Sequence, residues 1–382
     1  MAPQTRHTSS SPVFPPEITD SIICQLESSF CALRICALVC RDWLAASRNI
    51  VHRSLSFFEI SDIHTFLELV ESPYNTYAGA VRDVSFSGCR EQISSLFALF
   101  PQFCHLESIN IHYSLLDFSI PALPRISTLS LSGFVFPSSA TVSDLLLFLR
   151  SFPHLKNLTL DRLGSIQAGE IPAPEPVPLD SSMKLDSLSV TVDHTNQLVP
   201  WFILRHLSPL TRGLTLQVGF RSRPDTIECI SDYLRYLGTH LKDLTIPAST
   251  DPLLARRLDL STNTALESIR FTHGIFSRQW EPFNPRVSLE ILELLERSRL
   301  ASLNEITLEL TTTLAAMTER DARLDQLSRV LGLPCYAGVA QIKVQGKGVF
   351  NSEGVSRVSR DEFMAALGVD FPDYAHRCVL VG

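Results

Sequence analysis

The amino-acid sequence predicts an α/β chain: a short N-terminal helical unit followed by an irregular solenoid, a curved parallel sheet with outer helices. Three observations carry that prediction. A six-residue signature, apolar-x-x-apolar-x-apolar, recurs ten times between residues 81 and 344. Its starts lie 20 to 37 residues apart, a period that belongs to stacked repeats. Segments with apolar residues at helical spacing fall between several copies, and a separate helical run precedes them all.

That run spans residues 14–53. Pro15-Pro16-Glu17 reads as a helix start, since proline suits the first turn and a carboxylate meets the positive end of the helix dipole. Ile18, Ile22, Ile23 and Leu26 then form one helical face, and Leu33, Cys36, Ala37, Val39, Cys40, Trp43 and Leu44 form a second periodic run. Two short helices of this kind carry more apolar surface than they can hide against each other, so the hairpin needs a partner.

The order Pro15-Pro16-Glu17-Ile18, Ile22-Ile23, Leu26, Leu33 and Val39-Cys40-Arg41-Asp42-Trp43 resembles the F-box, in particular the expanded F-box families of mushroom-forming fungi. It departs at Phe14, where leucine is usual, and it covers about 40 of the 382 residues. The resemblance implies docking on a Skp1-type adaptor, and through it on a cullin, with Pro15, Ile18, Ile22, Leu26, Leu33, Val39 and Trp43 as the adaptor-binding residues. Part of this set would pack the hairpin itself and part would touch the adaptor. The implied role is the substrate-recognition subunit of a Skp1-cullin-F-box (SCF) ubiquitin ligase, with a scaffold that binds the adaptor without ligase function as the alternative.

Composition places the chain among folded proteins: 45% hydrophobic and 19% charged residues. A net charge of −7 argues against a nucleic-acid partner. Residues 1–13 are rich in Ser, Thr and Pro and read as a disordered terminus without a targeting core. No run of 18 apolar residues appears, so no membrane span is expected and the cytoplasm or nucleus is the expected location. Nine dispersed cysteines without a CxxC pair fit a reducing compartment and no zinc site. Cys36 and Cys40, one helical turn apart, read as small buried residues.

Residues 54–382 hold the repeats. A strand-like stretch from Leu55 and a helix around Ile63, Phe66, Leu67 and Val70 open them. The copies are Val81-Val84-Phe86, Leu106-Ile109-Ile111, Ile126-Leu129-Leu131, Leu155-Leu158-Leu160, Leu185-Leu188-Val190, Leu241-Leu244-Ile246, Leu266-Ile269-Phe271, Leu303-Ile306-Leu308 and Val339-Ile342-Val344. A tenth, Leu214-Leu216, has Thr211 in the first position. The last two residues of each copy point inward from a short strand and the first turns the chain into it. The signature resembles the leucine-rich repeat, although the asparagine usual after the strand is absent from most copies. Helices are expected at 142–152, 226–238, 288–298 and 319–332. Prolines 172, 174, 176 and 178 make 169–180 an extended loop, and 272–288 is a second irregular stretch.

No nucleophile elbow, metal-binding pair of histidines, phosphate loop or calcium loop occurs, so neither a cofactor nor catalysis is expected. Gly346-Lys347-Gly348 reads as a turn. Binding to a protein substrate is expected on the outward strand positions and the second loop. The substrate-contacting candidates are Asn110, Asp161, Arg270, Trp280, Phe283 and Glu305. Asp161, Asp243, Glu305 and Glu309 give that face an acidic bias, so a basic segment is the expected partner.

Overall fold

A computed structural model describes residues 15–71, 78–88, 97, 100–113, 120–133, 142–162, 185–192, 211–218, 224–247, 257–272, 289–310, 324–346 and 378–381. The chain begins with three helices, not two: α1 (Pro16–Cys24), α2 (Phe30–Cys36) and α3 (Arg41–Val51). Pro16 sits in the first turn of α1 with Glu17 beside it, as the sequence indicates. Ser29 caps α2 by accepting from the Ala32 amide at 3.4 Å. The second apolar run is broken between Ala37 and Cys40. Turn bonds from the Leu38 amide to Ile35 and from the Val39 amide to Cys36 close α2. Cys40 is extended (φ −159°, ψ 175°), and Asp42 enters the first turn of α3. Ile23, Leu33 and Ala46 form a small core of their own, with Leu26, Trp43, Ile50 and Val51 packed against it.

Among the described residues twelve strands follow: β1 (Ser54–Phe57), β2 (Asp83–Ser87), β3 (Ser108–His112), β4 (Thr128–Ser132), β5 (Asn157–Asp161), β6 (Ser187–Val192), β7 (Gly213–Val218), β8 (Asp243–Pro247), β9 (Ser268–Thr272), β10 (Glu305–Leu310), β11 (Gln341–Gly346) and β12 (Cys378–Val381). They form one open sheet in strict chain order, and every neighbouring pair is parallel. One strand per step, without crossing back, is the topology of a solenoid.

The ten signatures fall on β2 to β11 in matching register. Val84 lies opposite Ile109, Ile109 opposite Leu129, and Leu129 opposite Leu158. At eight of the steps one carbonyl accepts from two successive amides of the next. The Arg53 carbonyl accepts from the Arg82 and Asp83 amides, and the Lys242 carbonyl from Glu267 and Ser268. The inward residues join helix residues in one continuous core, including Leu145 and Phe148 of α5 (Val142–Arg150) and Ile227, Tyr233 and Leu234 of α6 (Pro224–Leu237). Leu294 and Leu295 of α7 (Leu289–Ser298) and Leu327 of α8 (Leu324–Leu331) extend it. Ile63, from α4 (Ile60–Glu71), closes its N-terminal end. Each fully buried Leu, Ile or Phe contributes about 1.5–3 kcal/mol, so the repeated inward pair is the main source of stability.

Thr211 is buried in the position that other copies fill with an apolar residue. Its hydroxyl lies 3.4 Å from the Tyr233 hydroxyl, so a polar pair replaces the apolar one. Asn263 supplies a different device. Fully buried after Leu258 and Leu260, it donates to the carbonyls of Leu234 at 2.8 Å and Gly238 at 3.0 Å, closing the C-terminal end of α6. The loop 169–180 and the residues 273–288 of the second loop lie outside the described residues.

Candidate interaction surfaces

The helical unit divides the seven residues predicted to meet an adaptor. Leu33 is buried in the unit's own core, and Leu26 and Trp43 pack against it. Pro15, Ile18, Ile22 and Val39 face solvent. The expected single face of α1 is thus two faces: Thr19 and Ile23 point inward, while Ile18 and Ile22 point out. Phe30, Ile35 and Leu38 are also exposed. They escape sequence reading because they lie off the face that the periodicity through Leu33 and Cys36 marks. The six apolar side chains Ile18, Ile22, Phe30, Ile35, Leu38 and Val39 are between 44% and 87% exposed. A unit of this length is expected to show a few such residues singly; six of them is more than folding alone requires. Cys36 is buried and Cys40 exposed at the cap of a different helix, so the two do not share a helical turn. Among the described residues no cluster of three His, Cys, Asp or Glu stands ready for a metal.

The second surface is the sheet face opposite the helices. Its central row runs in register through Ser56, Ser85, Asn110, Ser130, Thr159, Ser189, Thr215, Thr245, Arg270, Thr307 and Lys343. Asn110 is therefore one member of a floor of small polar side chains across the first eight strands. The charged candidates lie towards the ends of strands and at the far end of the sheet.

The expected acidic bias is offset within the molecule. Asp161 accepts from the Ser132 hydroxyl at 2.8 Å and has Arg162 at 3.9 Å. Asp243 faces Arg212 at 3.7 Å. Burial pushes its carboxyl above the ordinary value, with the neighbouring Glu267 and Glu305 adding to that and Arg212 opposing it. Glu305 binds the Lys343 ammonium at 2.6 Å and accepts from the Thr307 hydroxyl at 3.2 Å. Of the sequence-predicted charges on this face, Arg270 alone is exposed with no hydrogen bond or ion pair among the described residues. Three of the acids behind the expected preference for a basic partner thus already have a cationic neighbour. The side chain of Glu309, and all of Trp280 and Phe283, lie outside the described residues.

One rim feature had no sequence signal. Gly88, Tyr113, Gly133 and Arg162, which follow β2 to β5, all have positive φ. Glycine suits that backbone; Tyr113 and Arg162 occupy it with large side chains. The Tyr113 ring covers Gly133 so closely that a Cβ there would stand 2.4 Å from two ring carbons.

In comparisons with known proteins, no family model matches the chain and no curated protein matches it. Among the described residues no helix is long and apolar enough to cross a membrane.

Proposed function

We propose that this chain is an F-box-type substrate receptor: residues 15–51 dock on a Skp1-type adaptor, and a leucine-rich-repeat-like solenoid presents a protein target for ubiquitin transfer by a cullin-based ligase in the cytoplasm or nucleus. The reading assigns the chain no chemistry of its own; its contribution is positional. The observation that carries it is the exposed apolar set on a helical unit whose own core is complete without it. Ile23, Leu33 and Ala46 hold the unit together, leaving Ile18, Ile22, Phe30, Ile35, Leu38 and Val39 for a partner. The F-box resemblance supplies the partner's identity.

Co-purification with a Skp1-type adaptor tests the proposal, comparing the wild type with an Ile22→Asp, Val39→Asp double variant. Both residues are exposed, so the variant should keep its thermal unfolding while losing stoichiometric capture, each charge costing about 2 kcal/mol or more at a buried interface. Failure of the folded wild type to capture the adaptor refutes the proposal. Capture without ubiquitin transfer to any trapped protein favours the adaptor-binding scaffold instead.

A further inference from the structure

We infer that the open sheet face takes an acidic protein segment, anchored by a carboxylate on Arg270. The inference rests on the reading that this face receives the target, and it specifies the target's chemistry. Arg270 stands in the central row between Thr245 of β8 and Thr307 of β10, at neighbouring register positions. It is exposed and has no partner among the described residues. Lys343, one strand beyond Thr307 and thus about 10 Å from Arg270 across the sheet, is occupied by Glu305. Three of the face's acids, Asp161, Asp243 and Glu305, have Arg162, Arg212 and Lys343 beside them, and Asp83 stands at the far end of the sheet on β2. Around β9 the described face therefore offers a visitor one guanidinium fork, with the half-buried Thr245 on one side and the buried Thr307 on the other.

A guanidinium pairs a carboxylate through two parallel N–H···O bonds, and that geometry suits one free arginine. A phosphorylated side chain fits less well. Phosphate recognition draws on clustered arginines, whereas Asp243 and Glu305, opposite Ser268 on the strands flanking Arg270, would repel a dianion. A basic segment would meet carboxylates already engaged and an uncompensated Arg270.

Panning a phage-displayed dodecapeptide library on the full-length chain tests this. Enriched peptides should share an Asp or Glu, and changing it to Asn or Gln should weaken binding about tenfold in fluorescence anisotropy. Arg270→Gln should abolish that difference, and Arg270→Glu should prefer the same peptide with Lys in place of the acid. Arg270 is exposed, so these variants should unfold at the wild-type temperature. No enrichment, enrichment of basic peptides, or an acid preference that persists in Arg270→Gln overturns the inference. A phosphoserine peptide binding tighter than its Asp or Glu counterpart overturns the choice of carboxylate. Adaptor capture by residues 15–51 is measured separately on Arg270→Gln, so loss of this inference and loss of the receptor reading are distinguishable.

Discussion

Replacing Asn263 by Ala isolates one side chain's contribution to the stack. Asn263 is fully buried, and its amide donates to the carbonyls of Leu234 at 2.8 Å and Gly238 at 3.0 Å. Its backbone bonds, from the Asn263 amide to Leu260 and from the Leu266 amide to the Asn263 carbonyl, survive the substitution. Alanine therefore removes two side-chain bonds and leaves the turn in place. The Leu234 carbonyl is buried and loses its side-chain donor, at about 1–3 kcal/mol; the Gly238 carbonyl is only partly buried and can rehydrate, at about 0.5–1 kcal/mol. The sum is about 1.5–4 kcal/mol. Solenoid steps contact only their neighbours, so the loss should be local. Hydrogen exchange on the full chain should show protection in α6, β8 and β9 falling by about one to three orders of magnitude, with β2 and β3 unchanged. Asn263→Asp removes the donors and sets a charge against both carbonyls, so it should be worse. A loss in α6 below about 0.5 kcal/mol would refute the capping role; an equal loss in β2 and β3 would refute local transmission.

Two further predictions concern the same scaffold. Gly133→Ala places a Cβ at φ +59° against the Tyr113 ring and should cost about 1–2 kcal/mol from the backbone alone, read as a lower melting temperature. Adding Tyr113→Ala should recover the collision but not the backbone cost; full recovery would contradict the strain. Burial pushes the Tyr233 phenol from its ordinary 10.0 up to about 12, outweighing the Thr211 hydrogen bond that pulls it down. The folded state thus keeps a proton that the unfolded state sheds first, so this group's contribution is complete below pH 10 and falls away between pH 10 and 12. Urea midpoints of wild type and Tyr233→Phe should converge across that window, and parallel curves would refute the assignment.

Much of the fold was legible. All ten signatures became strands in the predicted order, and the helices at 142–152, 226–238 and 288–298 formed within two residues of those ends. The helix expected at 319–332 is described from Leu324 to Leu331. What escaped has local causes. The residues leading into β12 carry the same spacing in sequence, Ala375, Cys378 and Leu380, but alanine and cysteine are too small to mark the signature. The asparagine role appears at Asn263 in a step whose Leu258-x-Leu260 precedes the helix cap instead of a strand. In the helical unit, periodicity ran through the break at Ala37 and merged two faces.

The sequence alone determined which side chains line the core of the solenoid. Strand alternation has a period of two, set by backbone geometry within five residues, so an inward pair is visible wherever it occurs. The partners of the polar side chains belong to the tertiary structure. Arg82 meets Glu107 across 25 residues and Lys343 meets Glu305 across 38. Step length and register bring such pairs together, and neither is written in the residues themselves. Charge counting along the chain therefore found an acidic face, whereas the assembled sheet sets a cation beside Asp161, Asp243 and Glu305 and leaves Arg270 exposed.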